Sequence, residues 1–201
     1  MMYAIDVVHK IITDNRLEKC TFYLISHKTS KNWRQVNDSY EKKVANLTDG
    51  LVFDKYNLFQ IVGSKLVNMD INGLIKYGSP EKPLISLSSL FTYNDIKMHI
   101  PIMNLHLDED NNGLQSILKP IECITSEKYW ILKTDRYFHI YINNIIGYDR
   151  WFDWNLKFLM SSCLVSPRYI AQSLKRGYNL LRLNATSQIK IKIPEVIYTN
   201  G

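Results

Sequence analysis

In the run MHIPIMNLHL (98–107), Asn104 and His106 are polar residues two apart in a largely apolar stretch. Side chains alternate along a strand, so Ile102, Asn104 and His106 share one face and Met103, Leu105 and Leu107 the other. YFHIYIN (137–143) repeats the pattern, with Tyr137, His139 and Tyr141 opposite Phe138, Ile140 and Ile142. In YNLLRLN (178–184), Arg182 lies on the face of Tyr178 and Leu180. A polar side chain in an apolar strand costs stability unless it is paired. Asn104, His106, His139 and Arg182 are therefore candidates to converge on one polar site. The plainer alternative is that each is a satisfied core or edge residue. A His106–His139 pair on neighbouring strands would suit Zn²⁺ or another transition metal, but it has no third ligand in view.

These positions depend on the elements around them. YWILK (129–133) and YFHIYIN read as two strands joined by Thr134-Asp135-Arg136, a hairpin signal. MHIPIMNLHL reads as a central strand covered on both faces, starting after Pro101 because proline cannot donate to a ladder. A helix follows around 110–119. Residues 148–162 place Trp151, Trp154, Phe158 and Ser162 at helical spacing; that stripe could stack bases, or pack as core. Ser166-Pro167 opens another helix, with Ser166 as cap and Pro167 in the first turn, and Gly177 closes it. YNLLRLN and IKIKIP (189–194) read as strands.

Upstream, Ile5, Val8, Ile11 and Ile12 fit an amphipathic helix over 3–14, and CTFYLIS (20–26) a buried strand. A helix is expected around Tyr40–Leu47. LFQIVG and GLIKYG are strand-like runs. Residues 84–96 are expected to be helical, with Leu84, Leu87, Leu90 and Phe91 on one side. GSPEKP (78–83) is a loop. The order strand–helix–hairpin–helix–helix–strand predicts an α+β fold, a mixed or antiparallel sheet carrying helices.

Composition narrows the classes. The 201 residues suffice for a core without staples. Three cysteines, Cys20, Cys123 and Cys163, are an odd set without C-x-x-C spacing, which argues against a disulfide framework or cysteine zinc site and for a reducing cytosol. The N-terminus carries Asp6, His9 and Lys10 within its apolar pattern, unlike a signal peptide or membrane span. The matches to N-x-S/T at Asn37, Asn46 and Asn184 are then chance. Residues 128–192 hold eleven Lys/Arg against three Asp/Glu, while 1–127 hold fourteen against fifteen. The basic excess belongs to the C-terminal third, where it is either a phosphate-attracting patch or a solvated face. No G-x-x-x-x-G-K-[ST], G-x-S-x-G or H-E-x-x-H pattern is present.

The segment HIPIMNLHL, the hairpin LKTDRYFHIY and the stretch WFDWNLKFLM…VSPRYIAQSLKRGYNLLRLNATS together resemble the archaeo-eukaryotic-type primases, and among them the bacterial primase 1D-like group. The resemblance spans about residues 98–195. It implies an RRM-like core over 96–201, an N-terminal α/β elaboration over 1–95, one domain in all, and template-directed polymerisation of nucleotides. The family's first motif has two acidic residues separated by one, which fall on Asn104 and His106. Its second is a hairpin-strand histidine that contacts nucleotide phosphates, here His139. Its third supplies another acidic residue, at or near Ser166, with Arg182 beyond it. Arg168 also fits the pattern, and Arg136 joins the same phosphate side.

The departures bear on mechanism. Two-metal nucleotidyl transfer needs carboxylates to hold Mg²⁺ or Mn²⁺. Asn104 is neutral, His106 is an imidazole, and Ser166 suits a helix cap. The resemblance therefore implies loss of metal ligands with retention of the anion ligands His139, Arg136, Arg168 and Arg182. The leading expectation is a catalytically degenerate primase-like domain that binds nucleotide or nucleic acid, or serves a protein partner. An active enzyme using Mg²⁺ or Mn²⁺ would need substitute ligands from Asp108, Glu109 or Asp110, whose simpler role is to favour the next helix through its dipole. A purely structural interaction module in a defence or mobile-element complex is the third reading.

Overall fold

The computed structural model describes residues 1–27, 57–81, 83–106, 113–135, 137–161, 164–185 and 192–201. The fold is α+β, as the pattern implies, but it has two antiparallel sheets where one was expected. Helix α1 (Ala4–Asp14) buries Ile5, Val7, Val8, Ile11 and Ile12, the apolar face read from the sequence. Its start is held by Asp6, whose carboxylate accepts the Tyr3 backbone N–H at 2.7 Å.

The first sheet contains β1 (Thr21–His27), β2 (Asn57–Val62), β3 (Leu84–Tyr93) and β4 (Ile96–His99) in the order β2-β1-β3-β4. The short β8 (Leu180–Arg182) adds to β3 beside β4. Helix α2 (Gly63–Leu66) and helix α3 (Ile71–Gly78) join β2 to β3. The second sheet contains β5 (Ile102–Leu105), β6 (Tyr129–Lys133), β7 (Phe138–Ile142) and β9 (Glu195–Thr199) in the order β5-β7-β6-β9. Helices α4 (Gly113–Ile124), α5 (Tyr148–Met160) and α6 (Pro167–Arg176) accompany it.

Alternation within the second sheet divides the core in two. Ile102, Trp130, Leu132 and Tyr141 join α1 and the first sheet in one apolar cluster. Met103, Leu105, Ile131, Phe138, Ile140 and Ile142 join α4, α5 and α6 in the other. Trp151, Trp154 and Phe158 are buried in this second cluster, so the aromatic stripe is core and does not offer faces for stacking bases.

Several expectations are corrected. Residues 84–93 form β3, because Ile85, Leu87 and Phe91 also satisfy period two and the intervening serines favour helix poorly. Long-range pairing with β1, β4 and β8 decides the ambiguity. GLIKYG lies in α3, whose start is capped by Asp70 accepting the Gly73 N–H at 2.7 Å. The β5 strand begins after Pro101 and is buried on both faces, yet among the described strands it is the edge of its sheet. The end of IKIKIP, at 192–194, is not strand; β9 starts after Pro194. The expected helix near Tyr40–Leu47 lies outside the described residues.

Gly63 shows how closely the N-terminal segment is packed. A Cβ there would collide with the Leu17 carbonyl oxygen and approach Glu18 Cα to 3.1 Å. The helix cannot retreat, since Gly63 N–H donates to Cys20 O at 2.8 Å and Ser64 N–H to Glu18 O at 2.7 Å. Gly63→Ala should cost about 2 kcal/mol of stability, read as a lowered urea midpoint with unchanged slope; no shift would mean that this contact yields.

Candidate functional site

Asn104 stands directly opposite His139 in the β5–β7 ladder. Directly opposed residues project to the same side, so the register brings Asn104 and His139 together. Asn104 Nδ2 and His106 Nε2 are 3.0 Å apart. The amide nitrogen can only donate, so the imidazole accepts through Nε2. His106 also stacks on Tyr137, with ring centroids 4.0 Å apart and planes at 17°. His139 is buried and lies near Tyr141, whose hydroxyl is buried without a hydrogen bond to any described group. Burial, followed by neighbouring Tyr169, pushes the Tyr141 hydroxyl well above its ordinary value, while Arg182 pulls it back.

The loop that carries Ser166 approaches through the backbone. His106 N–H donates to Leu164 O at 2.8 Å, which fastens the end of β5 to the loop two residues before Ser166. Ser166 occupies the N-cap position of α6, with Pro167 first in the helix, but its side chain makes no capping bond. Its carbonyl instead accepts Tyr169 N–H at 2.9 Å. At the other end Gly177 takes φ 81°, the left-handed cap expected of it.

Arg182 reaches the site from the other sheet. Its Nη2 donates to Asp135 Oδ2 at 2.8 Å, and its Nη1 to the carbonyls of Asn184 at 2.9 Å and Lys192 at 2.7 Å. Burial lowers the guanidinium pKa and Asp135 raises it back. Asp135 sits at the tip of the β6–β7 hairpin, where Thr134 closes the turn through Oγ1 donating to Tyr137 O at 2.7 Å. Sequence reading saw Asp135 only as a turn residue; its partner lies 47 positions away. Arg168 is half-buried in the first turn of α6, and burial lowers its pKa. Arg136, Asp108, Glu109 and Asp110 lie outside the described residues.

Among the described residues no three His, Cys, Asp or Glu side chains are grouped to hold a metal. Asn104 and His106 bond to each other, and neither offers the negative charge that paired Mg²⁺ or Mn²⁺ ions require. The described donor set therefore does not fit a two-metal centre. Cys20 and Cys123 are free thiols. No described helix is long and apolar enough to cross a membrane. Asn184 is 2% exposed and spent internally, accepting Ile85 N–H at 2.9 Å and donating to Pro83 O at 2.6 Å.

A protein-family model described as archaeo-eukaryotic primase 1D-like (AEP-like) matches residues 67–195. That is nearly two thirds of the chain, and the chain belongs to this family. The match reaches back over α3, β3 and β4, beyond the motifs that begin near residue 98. Neither the curated proteins nor the solved structures provided a match.

Proposed function

We propose that this primase-family chain binds nucleotide or single-stranded nucleic acid on its Asn104/His139 face without two-metal nucleotidyl transfer. The observation that carries the reading is the Asn104–His106 bond directly across the ladder from His139. Where the family resemblance calls for two carboxylates, the chain holds a neutral amide and imidazole that satisfy each other. His139 stands across the ladder, and this reading assigns it, with Arg168 and Arg182, to phosphate. The basic excess of residues 128–192 adds a favourable field for a polyanion. Free thiols at Cys20 and Cys123 agree with a cytoplasmic setting. The first apolar cluster draws on residues from Ala4 to Leu183, which supports treating the N-terminal elaboration and the core as one unit.

Single-stranded DNA should bind with an affinity that falls steeply with salt, by about 0.7 in log–log slope per phosphate contacted. Arg168→Ala should weaken binding and reduce the slope by about that amount. Template, nucleotides and Mn²⁺ should yield no extension products. Products that disappear in Asp108→Ala would replace this reading with an active polymerase using rearranged ligands. Absence of binding even at low salt would remove the nucleic-acid reading.

A further inference from the structure

The Arg182–Asp135 contact has the form of an occupied anion seat. Asp135 presents two oxygens to donors from separate segments: Oδ2 to the Arg182 guanidinium at 2.8 Å and Oδ1 to the Lys192 backbone N–H at 2.8 Å. A guanidinium and a backbone amide converging on two oxygens of one anion is also how proteins hold phosphoryl groups. The pair is sheltered, with side chains 9% and 23% exposed. Arg182 is further fixed by its bonds to Asn184 O and Lys192 O, so the donors are already oriented before any ligand arrives. The two partners are held differently. Asp135 stands at a hairpin tip, whereas Arg182 is pinned within β8 and by two carbonyls.

We propose that Asp135 is an intramolecular cap on the phosphate seat of this site, its carboxylate standing on Arg182 and Lys192 N–H where a phosphoryl group of the ligand would bind. The inference rests on the nucleotide or nucleic-acid reading and gives it a regulated entrance. Ligand must displace a tethered carboxylate, so small anions at low concentration are refused. A polyphosphate or strand, which gains contacts elsewhere on the basic face, can displace it. Phosphate-bearing ligands are favoured over single carboxylates because they bring more charge and more acceptor oxygens to the same donors.

The test compares the full chain with Asp135→Asn, using inorganic pyrophosphate as probe and chloride at matched ionic strength as control. Without pyrophosphate the variant should melt below the wild type, because Arg182 has lost its counter-charge. Pyrophosphate should raise the variant's melting temperature more than the wild type's and bind it roughly tenfold more tightly by calorimetry. An equal pyrophosphate response in the two proteins overturns the cap. If Asp135→Asn does not fold in chloride, refolding in pyrophosphate is the readout. Recovery there supports the cap, and failure in both media overturns it. A parallel titration with single-stranded DNA separates the two claims. Wild-type binding to DNA without any gain of pyrophosphate affinity in the variant removes the cap alone. A pyrophosphate gain in a protein that binds no DNA supports the cap and removes the nucleic-acid reading.

Discussion

Asn179→Ala should destabilise the protein by about 3–5 kcal/mol, the largest effect expected of any single polar substitution described above. Asn179 is fully buried. Its Oδ1 accepts Trp151 Nε1–H and also Asn155 Nδ2–H at 3.3 Å, while its own Nδ2 donates to Asn155 Oδ1 at 2.9 Å. Its backbone is bound as well, donating to Ser89 Oγ at 3.0 Å and accepting Ser89 N–H at 2.9 Å. Truncation leaves the indole N–H and the Asn155 amide short of partners where water does not reach, and opens a small cavity beside them. Each stranded group costs about 1–3 kcal/mol. Urea unfolding measures the loss directly. A change below about 1 kcal/mol would show that the network relaxes around the gap and contributes little.

The second expectation is a loss of stability in mild acid to which His99 contributes most, beside His9, whose pKa burial also lowers. The His99 side chain is 1% exposed, stacks on Trp151 at 4.7 Å and bonds through Nδ1 to Ser89 Oγ at 3.1 Å. Tyr148 stands beside it, tilted by 54° with ring centroids 6.3 Å apart. Burial lowers its pKa from 6.5 to about 4. Between those values the unfolded chain takes up a proton that the native chain refuses. Stability is therefore complete above about 6.5 and falls as the pH drops toward 4. At about 1.4 kcal/mol per pH unit the loss is roughly 3 kcal/mol. Urea melts through this window should show the decline, and His99→Phe, which keeps a ring against Trp151, should flatten it by one proton's worth. An equally steep decline in that variant would assign the acid sensitivity to other groups.

The placement of the candidate residues on strand faces was legible because period two is a strong constraint. Once 98–107 and 137–143 are strands, Asn104 and His106 must share a face, as must Tyr137, His139 and Tyr141. Their pairing as neighbours, with Asn104 across from His139, depends on register, which one sequence does not fix. The Asp135–Arg182 pair was not legible, since a carboxylate in a turn is ordinary and nothing local points to Arg182. The β3 segment misleads for a related reason. Leu84, Leu87, Leu90 and Phe91 suit a helix and Ile85, Leu87 and Phe91 suit a strand, so only pairing with distant β1 and β8 selects between them. Burial of 102–105 on both faces was foreseen, but covering by helices and by a second sheet resembles a central position without being one.

The passage from β4 to β5 has a consequence for how such a site can change over time. His99 exchanges two backbone bonds with Ile146, and Pro101 O accepts Ile142 N–H at 3.0 Å. The chain thus leaves one sheet and enters the other already locked in phase, and Pro101 strands no donor in doing so. Neither lock involves the side chains of Asn104 or His106. The scaffold that aims these two positions is mechanically independent of what occupies them. Substituting Asn104 or His106 should therefore leave the strand seated, so residues at these two positions can change while the architecture persists.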